Sequence, residues 1–240
     1  MKHTFTLSPG KITQVLIFVA VCLFLASLTG NFCTYYLGHD RLKGLIPLFD
    51  VDEENNIPTW YSAFILLLCS ILLAVIAAAK KIDRAHYVAH WKFLAFIFLF
   101  LSMDEVICLH ERTYPLRSVL KNTAGGFLYY PWVIFGTAFV LIVGLVYLKF
   151  LANLPAKTRY LFLIGGALYV GGAIGVEVFT GHYYELYGLG MLYAMLTTLE
   201  EFFEMLGIIV FIYALTLYIS SYVKNLYLRI DDEKSGSSSL

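Results

Sequence analysis

The sequence predicts an all-α fold: a polytopic membrane protein, a bundle of about six transmembrane helices with cytoplasmic N- and C-termini. Three observations predict it. Apolar residues make up 60% of the 240 and charged residues only 14%, against roughly 45–50% and about 25% in ordinary soluble domains. The apolar residues gather in runs near 11–29, 60–79, 91–111, 131–151, 160–180 and 191–219. Each is long enough, at about 1.5 Å per residue, to cross a hydrocarbon core about 30 Å thick. The charges fall between the runs, apart from a set of carboxylates inside them.

The first run, preceded by Lys2 and Lys11, looks like a signal peptide, but no small-x-small cleavage pattern before Gly30 supports processing, so it is expected to stay as an anchor. The second opens at Trp60-Tyr61 and closes at Lys80-Lys81, an aromatic belt and a water-side anchor. Behind Tyr129-Tyr130-Pro131-Trp132 lies the fourth run, and Lys157 with Arg159 frames the fifth. The sixth belongs to a longer stretch, Gly190–Val223, that exceeds one span. Residues 1–223 thus form one helical domain, and the polar tail 224–240 is expected to be disordered.

Twelve Lys and Arg residues fall on the side of the termini and five on the other. Positively charged loops stay cytoplasmic, which orients the bundle in a bacterial inner membrane. Charge balances at 17 basic and 17 acidic residues, so nothing points to nucleic acid. The four cysteines, Cys22, Cys33, Cys69 and Cys108, are single and scattered, which excludes a disulfide framework or thiolate metal knuckle.

Asp104, Glu105, Glu111, Glu177, Glu200, Glu201 and Glu204 lie inside the apolar runs. An ionised carboxylate near the bilayer centre costs from ~2.5 to above 10 kcal/mol, so these acids require a metal, protons, partners or a wet cavity. At about 100° per residue, Asp104 and Glu111 share a face of the third helix, with Glu105 and His110 flanking it. Glu200, Glu201 and Glu204 fall within an arc of about 100° on the sixth helix. The small residues Ala167, Gly171 and Gly175 form a small-xxx-small seam on the fifth helix, two residues short of Glu177. Glu105 is expected just outside the centre, and His182 and Glu185, in a short fifth loop, at its mouth. The loop Asn31–Thr59, with His39, Asp40, Asp50, Asp52, Glu53 and Glu54, reads as a wet acidic loop, with a lid over the outer mouth as the alternative. His86 and His90 read as a solvated face on the cytoplasmic side.

Three accounts of the acids compete. The first is a site for one or two divalent metal ions held by Asp104, His110, Glu111, Glu177, Glu200, Glu201 and Glu204; oxygen-rich shells favour iron or manganese over zinc. Such a site suits an oxidoreductase or hydrolase acting on a lipid or quinone-like molecule, although the Glu-x-x-His pairs of di-iron bundles are absent. The second is a proton- or cation-coupled transporter or channel. A non-catalytic subunit of a membrane complex is the third. Beyond the bilayer itself, the sequence fixes no protein partner and no oligomeric state.

Three segments carry a resemblance: Ser102-Met103-Asp104-Glu105 through His110-Glu111, Gly171-Gly172-Ala173-Ile174-Gly175-Val176-Glu177, and Thr198-Leu199-Glu200-Glu201 through Glu204-Met205-Leu206-Gly207. Together they resemble an uncharacterised family of bacterial multi-pass membrane proteins, which implies the membrane fold and no activity. The zinc-dependent ceramidase-like hydrolases fit poorly, since of the three histidines they need only His110 and His182 are suitably placed.

Overall fold

The computed structural model describes residues 8–39, 42–113, 115–116 and 126–223. Among these residues all regular structure is helical. The longer elements are α1 (Pro9–Leu37), α2 (Leu45–Phe49), α3 (Ile57–Ile82), α4 (Val88–Ile107), α5 (Trp132–Asn153), α6 (Ala156–Tyr187) and α7 (Met191–Tyr222). The expected disordered tail, 224–240, lies outside the described residues, as does the side chain of Glu111.

Five helices, α1, α3, α5, α6 and α7, are long and apolar enough to cross a membrane. Helix α4 has 20 residues but carries Lys92, Asp104 and Glu105, so charge rather than length sets it apart. Local chemistry fixes the ends. Ser8 caps α1 by accepting the Lys11 N–H at 3.3 Å, with Pro9 in the first turn. Asn56 caps α3 through the Thr59 N–H at 3.1 Å. These side chains satisfy donors that a helix start leaves open.

Several boundaries differ from the sequence expectation. Helix α1 runs on to Leu37 and so includes Asn31 and Cys33, expected in a loop; Gly38 ends it at φ 68°. Helix α4 stops at Ile107, not at 111, because Cys108 turns left-handed at φ 49° and returns its N–H to the Asp104 carbonyl. Helix α6 continues to Tyr187, which places His182 and Glu185 in a helix rather than in a short loop.

Helix α7 is the central element, packed against α1, α3 and α6. Its Met205, Ile208, Ile209, Ile212 and Leu215 pack in one core with Ile65, Leu66, Cys69, Leu73 and Ile76 of α3. Helix α4 lies along α3, tied by Ser70 Oγ to the Ala95 carbonyl and Ser102 Oγ to the Ala63 carbonyl, both at 2.8 Å. Its Phe98 meets Phe211 of α7 with ring centroids 5.2 Å apart. Helix α5 is peripheral: Val133, Tyr147 and Phe150 are its buried residues, while Leu141, Leu145 and Leu148 stay exposed.

The α6–α7 contact is backbone on backbone, but the seam is not the expected one. A Cβ on Gly207 would lie 2.6 Å from the Tyr169 nitrogen and 2.7 Å from the Gly165 carbonyl oxygen. One on Gly172 would lie 2.7 Å from the Glu200 carbonyl oxygen. Among the described residues, a Cβ on Gly171 or Gly175, two of the three residues of the expected seam with Ala167, would meet nothing within 4 Å. Residues Gly171–Val176 form a π-helical turn, a wide turn found often at functional sites.

Candidate functional site

The α4 end, the second half of α6, the first third of α7 and the loop before α3 bring their acids to the same end of the bundle. Asp104 sits in the last turn of α4, and the chain folds back onto it beyond Cys108. Its carboxylate accepts the His110 backbone N–H at 3.1 Å and lies 2.8 Å from His110 Nδ1. Asp104 and His110 are thus hydrogen-bonded across a turn, an ion pair when the imidazole is protonated, rather than neighbours on a helical face. The expected alignment of Asp104 with Glu111 is lost for the same reason: the helix ends between them.

The His110 ring packs edge-on to Trp132, with centroids 5.5 Å apart, and Trp132 Nε1 donates to Glu177 Oε1 at 3.0 Å. This links the α4 end to the start of α5 and, immediately after the π turn, to α6. Glu200 is buried and accepts from Thr180 Oγ1 of α6 at 3.3 Å. The Gly172 contact sets this layer, because it presses the π turn against the Glu200–Glu204 turn of α7.

Glu105, expected just outside the centre, lies in the last turn of α4 beside Asp104. Its electrostatic neighbours include Ser62 of α3, Asp104, His110 and Glu54. Glu201 interacts with Glu105, Glu177, Glu54 and Asp52, and Glu204 with Glu105, Glu177, Glu200 and Glu201. Glu200 feels Glu177 and Asp52. The charge of Asp104, Glu105, Glu201 and Glu204 also reaches the Tyr169 hydroxyl of α6. The acids of α4, α6 and α7 are therefore gathered at one end of the bundle.

The loop before α3 is tied to the same end of the bundle. Asp52 accepts from Tyr193 OH of α7 at 3.3 Å. The Val51 N–H donates to Ser27 Oγ of α1 at 3.3 Å, and Ser27 reaches Asp50 at 3.5 Å. Asn56 Nδ2 donates to the Pro47 carbonyl at 3.0 Å. The loop is thus strapped to α1 and α7 rather than freely solvated. Burial raises the Asp50 carboxyl above its ordinary range and the Glu53 charge adds to this, partly offset by the Asp52 N–H and Ser27. Sequence reasoning missed Trp132, Thr180 and Ser62, because a belt residue and two hydroxyls carry no signal until the packing pairs them with acids.

His182 and Glu185 attach to the segment before α5. His182 stacks on Phe127 at 4.4 Å, and its buried Nδ1 has no hydrogen-bond partner among the described residues. Glu185 is exposed and accepts the Gly126 N–H. Among the described residues no three of His, Cys, Asp and Glu are grouped so as to hold a metal ion.

No curated protein and no solved structure matches the chain. A family model described as a domain of unknown function, DUF8692, matches residues 15–219. Since that match covers most of the 240 residues, the chain belongs to the DUF8692 family.

Proposed function

We infer that this is a bacterial inner-membrane protein of six transmembrane helices, α1 and α3 to α7, with cytoplasmic termini, and that its carboxylates form a proton- or cation-exchange site serving coupled transport. One observation carries this reading: α4, α6 and α7 bring their acids to one end of the bundle, where Trp132 and Thr180, both uncharged donors, bond Glu177 and Glu200 and Gly172 presses the π turn against the Glu200–Glu204 turn. Like charges this close do not all ionise independently; they share protons or gather a cation. Asp52 and Glu54 extend the set of acids into the strapped loop, the natural entry from water. The π turn before Glu177 suits a site whose geometry changes on loading, because its wide turn is an irregularity the helix can redistribute.

The test is flux in proteoliposomes loaded with a pH-sensitive dye. The native chain should carry protons or a cation down an imposed gradient, and Glu201→Gln and Glu204→Gln, folded to the native melting temperature, should lose most of it. A second reading keeps the iron or manganese site, with redox or hydrolytic chemistry on a lipid-like substrate as its consequence; the oxygen-rich set with the His110 imidazole is of the donor type those metals take. Elemental analysis of the same preparations separates the two. Near-stoichiometric metal lost in both variants supports the metal, whereas metal near zero with altered flux supports transport. If neither changes and both variants are more stable, the acids are structural, since replacing costly buried acids is often favourable.

A further inference from the structure

At the opposite end of the bundle the α3–α4 hairpin leaves an open groove of about 360 Å³, lined by Ala74, Ala77, Ala78, Lys81, Lys92 and Ala95. We propose that it holds an acyl chain of an anionic phospholipid, with the lipid phosphate between Lys81 and Lys92. The bond from Ser70 to the Ala95 carbonyl holds the two helices together at 2.8 Å. Beyond that bond the facing side chains shrink to methyl groups, while elsewhere α3 fills its contacts with Ile65, Leu66 and Leu73. Positions 74, 78 and 81 make one helical stripe and 92 and 95 another. Both stripes run from alanine to lysine toward the same end, so an apolar slot finishes in two cations.

The volume falls in the range of roughly 300–1,000 Å³ usual for ligand sites, unlike the cleft of about 100 Å³ beside His86 and Tyr87. Lys81 and Lys92 are exposed. Neighbouring Lys80 instead sits 5.4 Å over the Tyr218 ring. Basic residues beside a groove between membrane helices match a lipid headgroup in charge and depth. The apolar slot distinguishes a lipid from a free anion, which needs only the cations. A second copy of the chain seated here would bring lysines against lysines.

Spin-labelled lipids with the full-length protein in vesicles give the test. The native chain should immobilise labelled phosphatidylglycerol in preference to phosphatidylcholine, and inorganic phosphate should not displace it. The Lys81→Gln/Lys92→Gln variant should lower that preference by about tenfold. Ala78→Leu, at an exposed position, should abolish the immobilised component for both lipids by filling the slot; Ala74→Leu is the second variant should the first not fold. Equal immobilisation of the two lipids by the native chain, an unchanged component in the leucine variants, or displacement by phosphate would overturn the proposal. So would a groove occupied by a second copy, seen as a dimer that the leucine variants dissociate.

Discussion

Gly172 shows how one hydrogen atom in place of a methyl sets the site. Its missing Cβ lets α6 come within reach of the Glu200 carbonyl, and that approach brings Glu177 and Thr180 opposite Glu200 and Glu204. Gly172→Leu should therefore fail to give folded protein in detergent, while Gly171→Ala and Gly175→Ala, which meet nothing within 4 Å, should keep native yield; size-exclusion profiles and melting temperatures check this. Asp50 carries a prediction of opposite sign. Burial holds its carboxyl above the ordinary value of 3.8, so the folded state binds that proton more tightly than the unfolded one. Its contribution to stability then falls as pH rises from about 3.8 through the folded value, and is least favourable above it. Asp50→Asn keeps an oxygen for Ser27 and the Asp52 N–H and removes the charge. It should raise the melting temperature at neutral pH and flatten the decline just above pH 4; a lower melting temperature at neutral pH would show that the charge itself is needed.

Helix interiors were legible in the sequence, because length and apolarity decide whether a segment can span a membrane. Helix ends were not. Ile107 ends α4 through the left-handed Cys108, and nothing in Val106-Ile107-Cys108-Leu109 announces it. The fifth run offered two overlapping stripes of small residues, 165/172 and 167/171/175; Gly207 and the Glu200–Glu204 turn of α7 meet the first, and a partner cannot be read from one helix. The polar seam of α1 and α7 was equally silent: Thr198 Oγ1 accepts from Asn31 Nδ2 at 3.3 Å and sits 3.4 Å from Ser27 Oγ. Thr198→Val should leave the buried Asn31 amide short of an acceptor and cost about 1 kcal/mol, the scale of interhelical hydrogen bonds in membranes. Denaturant unfolding in mixed micelles measures it, and Ser27→Ala combined with Thr198→Val should cost less than the two singly added.

At the scale of the molecule, charge is segregated along the bundle: carboxylates at one end, and Lys80, Lys81, Arg84 and Lys92 around the α3–α4 turn at the other. The excess of basic residues predicts which end faces the cytoplasm. A cysteine placed at Glu53 in a chain without its own cysteines should react with an impermeant reagent from outside intact cells, and one placed at Arg84 should not; the reverse result inverts the orientation. The central claim is that the acids are one site. Infrared titration of the carboxyl band in purified protein tests it most directly. Glu204→Gln should remove one carboxyl and also shift the titration of those that remain, with Glu105→Gln and Glu201→Gln doing the same. A band that loses one component per variant while the others titrate unchanged would mean independent carboxylates, and the common site would be contradicted.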